Sequence, residues 1–417
     1  MKRNYFIVGL ILLTFFVISF LTNILGPLVP DIIESFDLSL TMVAFLPFAF
    51  FIAYGVMSIP SGILVEMYGE KTVMVAAFMI SFFGASLFAG APSYGMYIVS
   101  LFCIGTGMAM LQVAINPLLR VAGGEEHFAF NSVIGQLFFG LASFLSPLVY
   151  SYLVLNLGGE GEASNIVLET LTGIVPEGLP WISLYWVFAV VSLIMVFIIG
   201  FSVMPSVDRK EDELVGAWQT HIDLLKNPMV ILYFFGIFAY VGSEQGVANW
   251  ISEFLQTYHD VDPQTQGANT VALFWGLMTA GTVLGLILLK FVDSRKVVIG
   301  FTLAAIISLT VALFGSKSVA LIAFPMVGFF ASVMWSIIIS LALNSVTKNH
   351  GSFSGILVTG IAGGAIIPLI VGGLGDIFGL RAGMLFLYVT FGYILSIGFW
   401  SKPLINNEII GAKKSNG

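Results

Sequence analysis

The chain has 417 residues, of which 58% are hydrophobic and 9% charged, and its formal net charge is −7. A soluble domain carries about 25% charged residues, and so few charges could not cover a water-soluble core of this size. The acidic balance also argues against nucleic acid as a partner, because phosphate backbones recruit basic surfaces.

Mainly apolar runs occupy residues 5–30, 39–65, 70–91, 94–119, 128–155, 181–204, 229–256, 268–289, 296–315, 318–346, 352–375 and 382–401. Each is about 20 residues or more, the length an α-helix needs to cross about 30 Å of hydrocarbon. The expectation is an all-α polytopic membrane protein with twelve spans in a lipid bilayer. The first run is too long for a cleaved signal peptide and no organelle address follows. Cys103 falls inside the fourth run, and a lone cysteine allows no intrachain disulfide.

Basic residues set the orientation. With the amino terminus in the cytoplasm, Lys2, Arg3, Lys71, Arg120, Arg209, Lys210, Lys226, Lys290, Arg295, Lys296, Lys348, Lys402, Lys413 and Lys414 all fall on the cytoplasmic side. Only Lys317 and Arg381 fall outside. This asymmetry satisfies the positive-inside rule and places both termini in the cytoplasm of a bacterium, the protein lying in its inner membrane. The connection 156–180, with Glu160, Glu162, Glu169 and Glu177 and no basic residue, fits the external side.

The polar segment 205–227 divides the chain into residues 1–204 and 228–417, six spans each, and reads as a cytoplasmic linker with a short amphipathic helix. Weak internal similarity runs between the halves. Gly62 pairs with Gly285, Phe130 with Phe353, Gly140 with Gly363 and Gln112 with Trp335, all at one offset. Parallel repeats of this kind hold substrate between the halves near the midplane.

Polar groups at membrane depth are few. The four histidines lie in loops or at span ends, and no lysine or arginine sits at mid-depth. Glu244 is the acidic residue nearest a span centre. A charge there costs several kcal/mol unless it is protonated, paired or wet. It is either a ligand for a substrate or cation or a neutral hydrogen-bonding group. Ser243, Gln245, Asn249 and Trp250 are its neighbours on the same span, and Gly242 and Gly246 serve either close packing or local unwinding. In the first half Asn23, Gln112, Asn116 and Gln136 are amides within spans, and Gln112 and Asn116 share a helix face. Amides donate and accept, as sugar hydroxyls do, so they suit a neutral polyol; the alternative for each is an interhelical hydrogen bond. Trp250, Trp275 and Trp335 are the candidate aromatic platforms for a sugar ring. Pro117, Pro147 and Pro368 are expected to kink their helices.

Four stretches resemble a known family. Ser61–Thr72, SGILVEMYGEKT, resembles the loop between spans two and three of the major facilitator superfamily. That likeness implies an inner-side latch at Gly62, Glu66, Gly69 and Lys71. Gln112–Leu118, QVAINPL, resembles the fourth-span motif of its fucose–galactose–glucose symporter branch. Tyr240–Trp250, YVGSEQGVANW, resembles the seventh span of the glucose/galactose members, and Ser332–Pro368 resembles spans ten and eleven of the same branch. The resemblance covers nearly the whole chain. It implies two pseudo-symmetric six-helix bundles, no enzymatic activity and no organic cofactor. It also implies import of a neutral monosaccharide by alternating access, coupled to Na⁺ or H⁺, by a monomer. Two departures stand out: the fucose–proton symporters carry acids where this chain has Gly26 and Gln112. Coupling is then expected to run through Glu244, with sodium slightly favoured because Ser243, Gln245 and flexible glycine backbone could supply oxygen ligands.

Rival classes find less footing. An intramembrane enzyme needs a nucleophile–base pair or metal ligands at depth, and no H-E-x-x-H or G-x-S-x-G occurs. A proton-driven exporter of amphipathic compounds on the same fold, or an uncoupled sugar uniporter, is the alternative within transport. No phosphate-binding P-loop is present to make ATP the driver.

Overall fold

The computed structural model describes residues 4–124, 127–157, 166–205, 207, 218–346 and 350–404. Glu160, Glu162, most of the interhalf linker and the tail beyond residue 404 lie outside the described residues. Twelve spans are present among those described: Tyr5–Phe36, Leu40–Tyr68, Glu70–Gly90, Tyr94–Gly123, Phe130–Leu157, Pro180–Phe201, Pro228–Ala248, Pro263–Leu288, Ser294–Phe314, Lys317–Leu343, Gly351–Phe378 and Leu380–Trp400. They are called spans 1 to 12 below. Of the linker, Trp218–Leu225 is a helix.

Local signals fix where the helices begin. Asn4 accepts from the amide of Ile7, Ser39 from Met42, Ser93 from Met96 and Asp293 from Arg295, each satisfying an N–H that has no partner within the helix. Pro228 opens span 7 at a position where a missing N–H costs nothing.

The three prolines expected to kink their helices do not break them. The helices continue through Pro117, Pro147 and Pro368. Spans 1 and 7 instead break at matching places, at Asn23–Ile24 and Asn249–Trp250, and resume as Leu25–Phe36 and Ile251–His259. These are the first and seventh of the twelve spans.

Both ends of the described chain lie on one face. The amide of Asn4 bonds to the carbonyl of Ala122 at the end of span 4, and that of Leu404 to Asn344 at the end of span 10. This is called the terminal face. The halves pack span 2 against span 11 and span 5 against span 8. Glycines bring these pairs together: Gly364 lies against the ring of Phe51, and Gly140 against Thr279. On the opposite face, Leu25–Phe36 of span 1 packs on Ile251–His259 of span 7. There Gly26 lies so close to Ala248 that a Cβ would fall on that residue's carbonyl oxygen.

Candidate functional site

A cavity of about 370 Å³ lies between the halves. Its walls extend to Ser132, three residues into span 5 from the terminal face, and to Leu286, near the end of span 8. The seam of spans 1 and 7 closes it toward the opposite face. The structure is therefore open toward the terminal face.

Glu244 of span 7 faces this cavity. The Tyr240 hydroxyl, one turn earlier, donates to Oε2 at 2.5 Å, and Nε2 of Gln245 donates to Oε1 at 3.2 Å. The Tyr240 ring sits 6.1 Å from the ring of Trp335, tilted 52° to it, and both line the cavity. The first half supplies Thr22, Asn23, Tyr54, Gln112, Gln136 and Ser143. Asn23 Nδ2 donates to Ser143 Oγ at 2.9 Å, and Ser143 in turn pairs with Ser19.

Other lining groups have no partner. Gln112 Oε1, Ser132 Oγ, Trp275 Nε1 and Ser332 Oγ are buried and make no hydrogen bond within the protein. Leaving such groups unmade costs about 1–3 kcal/mol each. Their residues line the cavity while these atoms are turned out of contact with it, so a rotation of the side chain would present each to a polar ligand that both donates and accepts.

The sequence candidates separate into two sets. Asn23, Gln112, Gln136, Glu244, Gln245, Trp275 and Trp335 line the cavity. Ser243, Asn116, Asn249 and Trp250 do not. Ser243 is buried and pairs with Thr390 of span 12 at 2.6 Å, inside its own half. Adjacent residues on a helix point about 100° apart, so the neighbour of a cavity-facing glutamate faces the bundle. Asn249 and Trp250 are buried in the break of span 7, on the far side of the seam from Gly26. Asn116 lies one turn from Gln112 toward the terminal face, exposed, and donates to the Gln112 carbonyl at 3.4 Å. Gly242 packs on Ile367 and Gly246 on Leu387, so these glycines serve close helix contact. The helix is unbroken at both. Of the expected latch, Gly62 is buried near the end of span 2 and Glu66 is exposed. Gly69 makes the turn to span 3 with φ +78°, and Lys71 follows it.

Several lining residues escaped sequence reasoning. Tyr240 had a signal, since it sits four residues before Glu244 and shares its face. Thr279 and Thr282 had none. Their hydroxyls bond back to the carbonyls of Trp275 and Met278, as threonines do throughout apolar helices.

No group of three or more His, Cys, Asp or Glu side chains that could hold a metal ion occurs among the described residues. Ser243 is turned away, and both Glu244 oxygens accept from N–H or O–H donors. The preference for sodium gains no support from this arrangement.

Twelve apolar spans around an interfacial cavity define a polytopic membrane transporter rather than an enzyme. Residues 11–368 match the model of the Major Facilitator Superfamily, and the chain belongs to that superfamily. A glucose/galactose transporter of Brucella abortus is 30% identical over 407 residues, covering 95% of this chain and 94% of the relative. An L-fucose-proton symporter of Escherichia coli is 24% identical, covering 91% and 89%. The structure matches FucP in its outward conformation with a TM-score of 0.68 at 21% identity, covering 95% and 98% of the two chains. It matches an inward-facing bacterial homologue of the lysosomal transporter Spinster with a TM-score of 0.79 at 14% identity, covering 95% and 96%. Both are likenesses of fold, and the first of them is a Major Facilitator Superfamily transporter.

Proposed function

We propose that this protein imports a neutral monosaccharide of the glucose/galactose type by proton symport through alternating access. The observation that carries this reading is the cavity wall. It combines aromatic faces at Trp335, Tyr240 and Tyr54 with unpaired buried acceptors and donors at Gln112, Trp275, Ser132 and Ser332. A pyranose has apolar faces and a rim of hydroxyls, and needs both kinds of surface. The names of the Brucella and E. coli relatives point to the same substrate class.

Gln112→Ala should weaken sugar binding by about 1–3 kcal/mol, the cost of leaving a buried partner unpaired, which is about 5- to 150-fold in Kd. Quenching of cavity tryptophan fluorescence on titration with glucose and galactose measures it. Wild-type affinity in Gln112→Ala would remove this amide from the site.

Glu244 is the coupling group in this reading. Its oxygens are met by hydrogen-bond donors, an arrangement suited to a carboxylate that gains and loses a proton. A hard cation would need several oxygen ligands instead. The L-fucose-proton symporter among the relatives supports the proton.

The halves are residues 1–204 and 228–417, joined by the 205–227 linker, and the terminal face is cytoplasmic in the inner membrane of a bacterium. The basic-residue asymmetry supports this orientation. In a Cys103→Ala background, cysteine at Asp262 should react with an impermeant maleimide added outside. Cysteine at Asp223, on the exposed linker helix, should react only after permeabilisation. The reverse pattern would overturn the orientation.

A further inference from the structure

The latch sequence at the end of span 2 occurs a second time. Gly62, Glu66, Gly69 and Lys71 are matched in spacing by Gly372, Asp376, Gly379 and Arg381 at the end of span 11. The backbone repeats as well. Gly69 and Gly379 each form the turn into the next span, with φ/ψ of 78°/159° and 86°/149°, which an L side chain would strain. The first copy lies on the terminal face. The second joins spans 11 and 12 on the opposite face.

The second copy is engaged across the halves. Asp376 Oδ1 accepts from the amide of Leu40 at 2.8 Å. Its Oδ2 accepts from the amide of Thr41 at 2.9 Å and from the Thr41 hydroxyl at 2.5 Å. Leu40 is the first residue of span 2, so a carboxylate from the second half caps the start of a first-half helix. Those N–H groups have no partner within their own helix, and the helix dipole favours an anion there. One turn before Asp376, a Cβ on Gly372 would lie 2.7 Å from the Leu40 carbonyl, so glycine at this position lets the two spans meet.

We propose that Asp376 is the latch that holds the opposite face closed. Spans 2 and 11 thus carry the same motif at both ends of their contact, one copy per face. The Asp376 bonds to Leu40 and Thr41 join two halves that must separate on this face to admit substrate, so each transport cycle breaks and remakes them. This rests on the transporter reading but not on the identity of the sugar.

The test needs no substrate. Val29 of span 1 is buried, lies one turn from Gly26 on the closed seam, and does not line the cavity. In solubilised Cys103→Ala protein carrying Val29→Cys, the rate of maleimide labelling reports opening of the opposite face. Asp376→Asn should raise that rate about tenfold, the shift expected on losing hydrogen bonds to a charged group. Labelling of a cysteine at exposed Asp223 should not change. Thr41→Val removes only the hydroxyl contact and should give a smaller rise in the same direction, and it carries the test if Asp376→Asn does not fold. Unchanged Val29→Cys labelling in the folded variants would overturn the proposal.

Discussion

Glu244→Gln will abolish gradient-driven accumulation of substrate while leaving exchange of substrate across the membrane intact. The argument runs from cost to use. A carboxylate at mid-depth is disfavoured by several kcal/mol unless it is neutralised or paired. Among the described residues Glu244 is the carboxylate that lines the central cavity, and the groups that donate to it, Tyr240 and Gln245, are neutral. Glutamine preserves the shape and can still accept from Tyr240, so the cavity should keep its form. What it cannot do is take up a proton on one face and release it on the other. Proteoliposomes preloaded with unlabelled substrate measure exchange, and those given only a pH gradient measure accumulation. Full accumulation by Glu244→Gln would leave this carboxylate a structural hydrogen-bonding group and place coupling elsewhere.

Gly26→Val will slow turnover sharply by opposing closure of the opposite face. The seam between spans 1 and 7 depends on a backbone-to-backbone approach at Gly26 and Ala248. A carbonyl oxygen in a packed helix cannot move aside as a flexible side chain can. Overpacking costs about 1–3 kcal/mol even where neighbours yield, which is about 5- to 150-fold in the population of the closed state, and here the upper end is expected. Uptake should fall accordingly, while binding to the open cavity persists. An aspartate at this position would meet Ala248 in the conformation seen here. Wild-type uptake by Gly26→Val would show that the seam does not close this tightly during transport.

The spans were legible because a membrane imposes about 20 apolar residues per crossing, and hydropathy reads that directly. The breaks at Asn23 and Asn249 were harder to read: Pro27 lacks the N–H that would bond to the Asn23 carbonyl, but no proline lies near Asn249 and polar side chains alone do not end a helix. Glu244 stood out because its cost has no other visible compensation. Its surroundings were harder to read. Helical periodicity tells which residues share a face, but not which face meets the cavity. Ser243, Asn249 and Trp250 therefore looked as eligible as Gln245, although the first is turned into its bundle and the others are buried in the helix break. Asp376 was invisible for a different reason. Its partners lie more than 330 residues away in the chain, and only the assembled halves bring the second copy of the latch motif against span 2.

The central claim is proton-coupled transport of a neutral hexose, and uptake into proteoliposomes tests it most directly. A panel of labelled hexoses should be offered under a pH gradient, acid outside, and separately under a sodium gradient at uniform pH. Saturable accumulation of glucose or galactose that follows the pH gradient, collapses with a protonophore and ignores sodium is the predicted result. Accumulation that follows sodium alone would contradict the proton, and failure to move any hexose while lipophilic cations are exported would contradict the sugar reading itself.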